Sequence, residues 1–247
     1  MTTRAEFMAR IRAEMGKTRG LFPATPAHRP ENPRAEAEAI RGELAERWPE
    51  ALERFRREFE KVGGVFHRVP TLAEVPRVVA GIARDREVRR LVSWHPSQLG
   101  GDLAQALAAR GLTPIPMPPG EAASPTERAR LRRLVASAEL GLTGVDLAIG
   151  ETGTLVLRSG AGRPRSTSLL PAYHIAVFDR TALVESLAQV GVFLELWHAD
   201  GETEDRGAVI TFITGPSRTA DIELTLTRGV HGPKEVHANF VERELRG

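Results

Sequence analysis

The chain has 247 residues, of which 41% are hydrophobic, so it is long enough to bury a substantial core. Its 34 Lys and Arg side chains are balanced by 32 Asp and Glu, which leaves a net charge of +2. Both signs are mixed along the chain, so nucleic acid is not expected as a partner, because duplex binding needs a concentrated basic face. The chain has no cysteine, which excludes disulfides and any metal or iron–sulfur site built on thiolates.

The first quarter of the chain predicts helices. Residues 2–15 have a helical pattern without the apolar segment of a signal peptide, and residues 20–33 have the Pro-rich composition of a linker. Apolar side chains recur at helical spacing over residues 34–62, where Pro49 is expected to split or kink the helix. We therefore predict an N-terminal helical extension over residues 1–62, whose apolar stripe packs on the domain or on a second subunit.

From residue 63 onward, short apolar strands alternate with helices, which favours a mostly parallel sheet covered by helices. The predicted strands are residues 65–69, 91–94, 113–119, 145–149, 154–158, 173–178, 208–214 and 236–241. The predicted helices are residues 72–83, 102–109, 124–140, 180–190 and 219–226. Ser124 is the expected N-cap of the third of these helices, in a capping box. We predict an α/β domain over residues 63–247, without a membrane span and located in the cytoplasm.

Four motifs occur in a fixed order in the second half of the chain. They are Gly150-Glu151-Thr152-Gly153-Thr154, Leu170-Pro171 followed by His174-Ile175, residues 215–223 (GPSRTADIE) and residues 229–234 (GVHGPK). Together they resemble the LUD domain, specifically the lactate-utilisation protein C family, from about Phe55 to the C-terminus. The resemblance implies a NagB/RpiA/CoA transferase-like α/β fold, which sugar-phosphate isomerases and CoA transferases share.

The same resemblance implies a role in the oxidation of L-lactate to pyruvate, in a system whose companion subunits carry iron–sulfur clusters. The composition agrees, because a chain without cysteine could not ligate such a cluster itself. We therefore expect no cofactor in this chain, and iron–sulfur subunits and a small anion as its partners. The helices of residues 34–62 could also mediate a homo-oligomer.

Residues 215–223 are the first candidate site. If a strand ends at Thr214 and a helix begins near Arg218, the turn presents backbone N–H groups that attract carboxylate or phosphate. We expect a crevice there, because the carboxyl ends of strands are the usual ligand sites in such sheets. The alternative is an ordinary capped helix, with Asp221 complementing its dipole. The predicted ligand contacts are Gly215, Ser217, Arg218 and Thr219.

Residues 229–234 are the second candidate site. Gly229 and Gly232 allow close backbone approach. His231 could act as a general acid or base, and Lys234 as an electrostatic anchor for an anion. The alternative is an ordinary loop between a helix and a strand.

The Glu-x-Gly turn is the third candidate. Glu151 could be a nucleophile, as in CoA transferases, or a general base, although a tight turn with a solvated glutamate is the preferred alternative to covalent chemistry. The turn is expected to contact the ligand through Thr152, Gly153 and Thr154. His174 either points into the same crevice or is a hydrogen-bonded histidine of the core.

A basic loop and four further histidines also have plainer explanations than a functional site. The basic loop at residues 160–168 could close over an anion, but a solvated surface loop is preferred. The four histidines outside the candidate sites do not have the spacing of metal ligands, so no metal site is expected. They are His67, His95, His198 and His237.

Two hypotheses of function follow. The first is a non-redox subunit of a lactate-oxidising assembly, with a crevice for a small anion. The second is a stand-alone enzyme or sensor for a small carboxylate, phosphosugar or CoA-type ligand, acting through Glu151, Arg218, His231 and Lys234. The absence of cysteine favours the first hypothesis over an autonomous redox enzyme.

Overall fold

A computed structural model describes residues 3–17, 30–120, 124–199, 209–220 and 226–245. The chain divides into two units, Met1–Glu31 and Asn32–Gly247. The first unit contains helix α1 (Arg4–Lys17), and the second contains the sheets and the other helices. None of the helices in these ranges combines the length and hydropathy that crossing a bilayer requires.

The described part of the second unit has helices and strands in alternation. Its helices are α2 (Pro33–Lys61), α3 (Val75–Asp85), α4 (Ala104–Ala108), α5 (Pro125–Ala136), α6 (Ser166–Leu169) and α7 (Leu187–Ala199). Its strands are β1 (Val65–Val69), β2 (Arg90–Ser93), β3 (Thr113–Pro116), β4 (Leu140–Gly144), β5 (Leu147–Ile149), β6 (Thr154–Arg158), β7 (Tyr173–Phe178), β8 (Leu183–Val184), β9 (Ile210–Ile213), β10 (Arg218–Ala220), β11 (Leu226–Arg228) and β12 (Glu235–Val241).

Six strands form a sheet in the order β1-β12-β7-β4-β2-β3, and every neighbouring pair in it is parallel. A second, mixed sheet has the order β8-β5-β6-β9, and β10 pairs antiparallel with β11. Strand β2 lies between β3 and β4, so the chain builds the sheet outward from β2 in both directions. The carboxyl edge at such a switch point is where ligands of α/β sheets usually bind.

Helices cover both faces of the six-stranded sheet. Leu91 of β2 belongs to the largest apolar cluster, together with Val79 of α3 and Leu107 of α4. The next residue, Val92, belongs to a separate cluster with Val135 of α5. Because successive strand residues point to opposite faces, α5 lies on the face away from α3 and α4. The predicted mostly parallel sheet covered by helices is therefore confirmed.

Helix α2 contributes to two apolar clusters. Its carboxyl half buries Phe55 and Phe59 against the six-stranded sheet. The rings of Phe55 and Phe178 pack edge to face there, with their centroids 5.3 Å apart. Its amino half packs through Ile40 and Leu44 against α7 and the mixed sheet. Burying each of these side chains stabilises the fold by about 1.5–3 kcal/mol. The domain boundary between residues 62 and 63 stays a prediction.

Three predictions about helices are corrected. The described ends of the helix predicted at residues 219–226 are strands, because Thr219 and Ala220 of β10 pair with β11, which begins at Leu226, while residues 221–225 lie outside the described residues. Residues 180–190 form a 3-10 turn, strand β8 and only the beginning of α7. Pro49 lies inside α2 without splitting it, and the kink that was the other expectation stays a prediction. Buried residues before and after the proline hold both halves of α2, which compensates for the hydrogen bond that proline removes.

Strand β4 is the central strand that the sequence analysis missed. It contains Gly141 and Gly144, and glycine is uncommon in strands. A Cβ on Gly141 would lie 1.9 Å from the carbonyl oxygen of Thr167, and one on Gly144 would lie 2.4 Å from that of Gln98. Two backbone segments thus pack directly on this strand, and both contacts require glycine.

Candidate functional site

Two glycine-rich segments meet at Ser217. Its N–H donates to the carbonyl of Pro233 (2.9 Å), and its own carbonyl accepts from the N–H of Gly229 (3.1 Å). Its hydroxyl accepts a third hydrogen bond, from the N–H of His231 (3.3 Å). Gly232 also packs against this serine, since a Cβ there would lie 3.3 Å from the Ser217 Cβ. We call the resulting unit the paired loops, residues 214–217 and 229–234.

The paired loops lie at the amino edge of the six-stranded sheet. The N–H of Lys234 donates to the carbonyl of Ala172 (2.7 Å), immediately before β12 and β7 begin. Gly215, with a φ of 78°, packs against Val62, which precedes β1. The segment that begins at Gly215 was expected at the carboxyl ends of strands. It follows the carboxyl end of β9 alone, which ends at Ile213. Relative to the main sheet, the segment lies at the opposite edge from the usual crevice.

Arg218 is bound to the end of helix α2. Its Nη2 donates to the carbonyl oxygen of Val62, which places a cation at the negative end of the helix dipole. A Cβ on Gly63 would lie 2.6 Å from the same guanidinium, so glycine permits this contact. Arg218 begins strand β10, and the helix N-terminus predicted there is therefore wrong. Asp221 and Glu223 lie outside the described residues.

His231 and Lys234 present exposed side chains from the paired loops. Neither side chain has a hydrogen bond or ion pair with another described residue. The Lys234 Cγ lies where a Cβ on Gly229 would be only 2.3 Å away, so the aliphatic part of the lysine covers that glycine. The paired loops contain no Asp or Glu, so the ammonium group of Lys234 is their one formal charge.

The Glu-x-Gly turn lies against α2. Gly153 has a φ of 61°, and a Cβ there would lie 2.2 Å from the backbone nitrogen of Phe59. Glu151 is exposed, and its Oε2 accepts a hydrogen bond from the N–H of Leu187 (3.0 Å). Since Leu187 begins α7, the carboxylate stabilises the positive end of that helix.

A chain of hydroxyl groups connects this turn to the paired loops. The Thr152 hydroxyl donates to Thr154 Oγ1 (2.7 Å), which lies 2.8 Å from Thr214 Oγ1. Thr154 is almost completely buried, so this link is shielded from solvent. The structure therefore links the turn of the third predicted site to the paired loops, which contain residues of the first and second. Thr219, another predicted ligand contact, pairs with Thr227 in the β10–β11 ladder.

His174 is a buried histidine of strand β7. Its Nε2 lies 2.8 Å from the Thr143 hydroxyl, and its Nδ1 has no hydrogen-bond partner in the described structure. Burial lowers the pKa of His174 to about 3, and the charge of His237 acts in the same direction. The ring is therefore neutral at physiological pH.

Two further histidines lie side by side on β1 and β12. The Nε2 of His67 is 3.1 Å from the Nδ1 of His237, whose Nε2 is 3.2 Å from Glu235. Burial lowers the pKa of His67 to about 4 and also lowers the pKa of His237. Across the described ranges, no group of three or more His, Asp or Glu side chains is placed to hold a metal ion.

The carboxyl edge of the sheet contains a buried ion cluster that the sequence analysis missed. Asp146, just after β4, lies 2.8 Å from the Nε of Arg158 and 3.4 Å from the Nη1 of Arg163. The Arg163 side chain is only 2% exposed. The preferred view of residues 160–168 as a solvated surface loop is therefore wrong.

The sequence model of the LUD domain matches residues 52–241. A protein named lactate utilization protein C, from Exiguobacterium sp., is 31% identical over 238 residues, which cover 96% of this chain and 94% of that protein. The protein of the same name from Halalkalibacterium halodurans is 46% identical over 108 residues. That second match spans about half the length of each chain, 44% of this one and 46% of the relative.

One solved structure also matches. It is the crystal structure of a DUF162 family protein from Deinococcus radiodurans, with a TM-score of 0.47 and 21% identity, covering 78% of this chain and 98% of that one. The family match extends over most of the second unit, and the Exiguobacterium relative aligns over nearly the whole chain. The chain therefore belongs to the LUD domain family, alongside the proteins named lactate utilization protein C.

Proposed function

We propose that this chain is a non-redox subunit of a system that oxidises L-lactate to pyruvate. The observation that carries the proposal is its 31% identity with lactate utilization protein C over 96% of its length. The lack of cysteine supports a division of labour in which partner subunits hold the iron–sulfur clusters. In this division, the present chain binds and orients a small anion while electrons pass through its partners.

The paired loops are the proposed anion site. Lys234 supplies an exposed ammonium group, and His231 supplies a ring that can exchange a proton with a bound ligand. Lactate and pyruvate each carry one carboxylate, which forms a charge-assisted hydrogen bond with such a cation. Arg218 has a positioning role, because its bond to Val62 fixes the start of β10 beside the loops. Glu151 positions the neighbouring turn through Leu187.

A stand-alone enzyme or sensor for a small carboxylate, phosphosugar or CoA-type ligand is the second candidate function. The hydroxyl chain from Thr152 to Thr214 favours it, because this chain links the Glu-x-Gly turn to the paired loops within a single chain. The two candidates share the anion site and differ in whether partners are needed for turnover.

Calorimetric titration of the purified chain with L-lactate and pyruvate tests the anion site. We expect Lys234→Gln to weaken binding about tenfold, the loss of one charge-assisted hydrogen bond. Arg77→Gln is the matched control, because Arg77 is exposed on α3 and loses the same charge. Equal affinity of the wild type and Lys234→Gln for both anions would exclude the paired loops as the site.

A reconstitution assay separates the two functions. The chain is incubated with L-lactate and an electron-accepting dye, alone and with the purified iron–sulfur subunits. The subunit hypothesis predicts no dye reduction by the chain alone, and a higher rate when it is added to the partners. Dye reduction by the chain alone contradicts it and favours the stand-alone enzyme.

A further inference from the structure

A cavity of about 380 Å³ opens at the carboxyl edge of the sheet, at the opposite edge from the paired loops. Met117 and Pro118, which follow β3, form one wall, and Leu131 and Val135 of α5 form the second. The third wall is the segment of residues 160–166. This volume falls in the range of sites that enclose small organic molecules. The site lies beside the switch point, where α/β sheets usually bind their ligands.

Two arginines give this largely apolar cavity a positive charge. Arg128 and Arg132 line it from successive turns of α5. Neither guanidinium has a hydrogen bond or ion pair with another described residue. None of the described residues that line the cavity is acidic, and Ser166 adds a hydroxyl group. A bound anion would therefore meet the complementary charge of these two guanidinium groups.

The wall formed by residues 160–166 is fixed in place. Gly160 and Arg163 exchange both backbone hydrogen bonds, each 3.1 Å long. The N–H of His95 donates to the carbonyl of Gly162 (2.8 Å), and the buried Arg163 is held by Asp146. A preformed wall lowers the ordering cost of binding.

A neighbouring cavity of about 350 Å³ has different chemistry. Its described lining includes Asp146 and Asp179 and one arginine, Arg41, so it is less suited to an anion. Both carboxylates already accept hydrogen bonds, Asp146 from Arg158 and Asp179 from Thr181. The charge of the lining therefore distinguishes the α5 cavity from its neighbour.

We propose that the cavity beside α5 binds a small molecule with a compact apolar body and one anionic group, a carboxylate or a phosphate. The apolar body would pack against Met117, Leu131 and Val135, and the anion would pair with Arg128 and Arg132. Guanidinium groups suit both anions, because their donors match carboxylate and phosphate oxygens in pairs. This site is independent of the proposed role in lactate oxidation, since lactate has too little apolar volume to fill the cavity.

Titration of the full chain with three probes tests the proposal. 2-Naphthoate and phenyl phosphate carry the two anionic groups, and 2-naphthamide is the uncharged counterpart, each followed by ligand-observed NMR. We expect saturable binding of at least one anion, weakened at least tenfold in the Arg128→Gln/Arg132→Gln double variant. The amide should bind more weakly than naphthoate and be little affected by that variant.

Two matched variants locate the site. Arg130→Gln/Arg133→Gln removes the same charge from the same helix at residues that do not line the cavity, and it should bind the anions like the wild type. Leu131→Trp should fill the cavity and weaken every probe. Thermal melts by circular dichroism check folding, and if Leu131→Trp does not fold, the two arginine variants decide alone.

Several results would overturn the proposal. They are absence of saturable binding of both anions at millimolar concentration, equal losses in the two double arginine variants, and unchanged binding in a folded Leu131→Trp. If only one of the two anions binds with the expected losses, that anion identifies the ligand class. None of these outcomes depends on lactate turnover, so failure here leaves the proposed function unaffected.

Discussion

The two edges of the six-stranded sheet are stabilised by different chemistry. The amino edge carries the paired loops, held by backbone hydrogen bonds and glycines, with neutral histidines nearby in β1, β7 and β12. The carboxyl edge carries a loop held by the buried charges of Asp146 and Arg163. Sequence motifs indicated the first edge, whereas the second contains an open, largely apolar cavity lined by two arginines. Motifs thus indicate where the backbone conformation requires particular residues. They do not indicate where the packed helices and strands leave a cavity.

Removing the buried carboxylate should have the largest effect. Asp146→Ala removes the buried carboxylate that pairs with Arg158 and Arg163, and we expect the free energy of unfolding to fall by about 3–5 kcal/mol. Urea denaturation followed by circular dichroism measures this loss. Asp85→Ala, at an exposed position of α3, is the control and should change stability by less than about 0.5 kcal/mol. A loss below about 1 kcal/mol for Asp146→Ala would show that the carboxyl edge does not depend on this ion cluster.

A methyl group in the Glu-x-Gly turn should have the next largest effect. Gly153→Ala combines a positive φ with a Cβ that would meet the backbone of α2, so we expect a loss of about 3 kcal/mol. Gly42→Ala, on α2 itself, meets no atom within 4 Å and should stabilise the protein by about 0.5–1 kcal/mol. Urea denaturation compares the two. Similar stability of both variants would disprove the close contact between the turn and α2.

Acid should destabilise the amino edge by a smaller amount. Burial lowers the pKa of His174 to about 3 in the folded chain, against about 6.5 when unfolded, so only the unfolded chain binds this proton between these values. The contribution of His174 to stability is present above pH 6.5 and is lost as the pH falls, by about 2 kcal/mol at pH 5.

The His174→Gln variant tests this linkage through the slope of unfolding free energy against pH, whatever its stability at neutral pH. We expect that slope between pH 7 and pH 5 to be shallower than in the wild type. Exposed His198→Gln serves as the control and should retain the wild-type slope. Identical slopes for all three proteins would show that His174 takes up its proton equally well in the folded chain.

The sheet was predictable because its strands are short apolar runs with clear boundaries. The predicted strand at residues 65–69 has the bounds of β1, and Ser124 caps α5 as expected, accepting from the N–H of Glu127 (3.1 Å). Strand β4 was missed because it contains two glycines, which have low strand propensity. They are required by the close approach of neighbouring backbone segments. Local pattern does not record such long-range contacts.

The paired loops were found as motifs, but their place at the amino edge was not predictable. That place depends on how β12 and β7 align, which is a property of the whole sheet. The α5 cavity was missed for the same reason, since α5 and the loop at residues 160–166 are distant in sequence. Its only local sign is a pair of arginines four residues apart beside Leu131 and Val135.

Helix α2 has a consequence for the smallest fragment that can fold. A chain beginning at residue 63 would lose Phe55 and Phe59, and Phe178 in the sheet would face water. A chain beginning at residue 52, where the family match starts, would restore these phenylalanines but leave the cluster around Ile40 without its helix. Such fragments would expose contiguous apolar surface and aggregate. Autonomous folding is therefore expected only when the chain begins at or before Asn32.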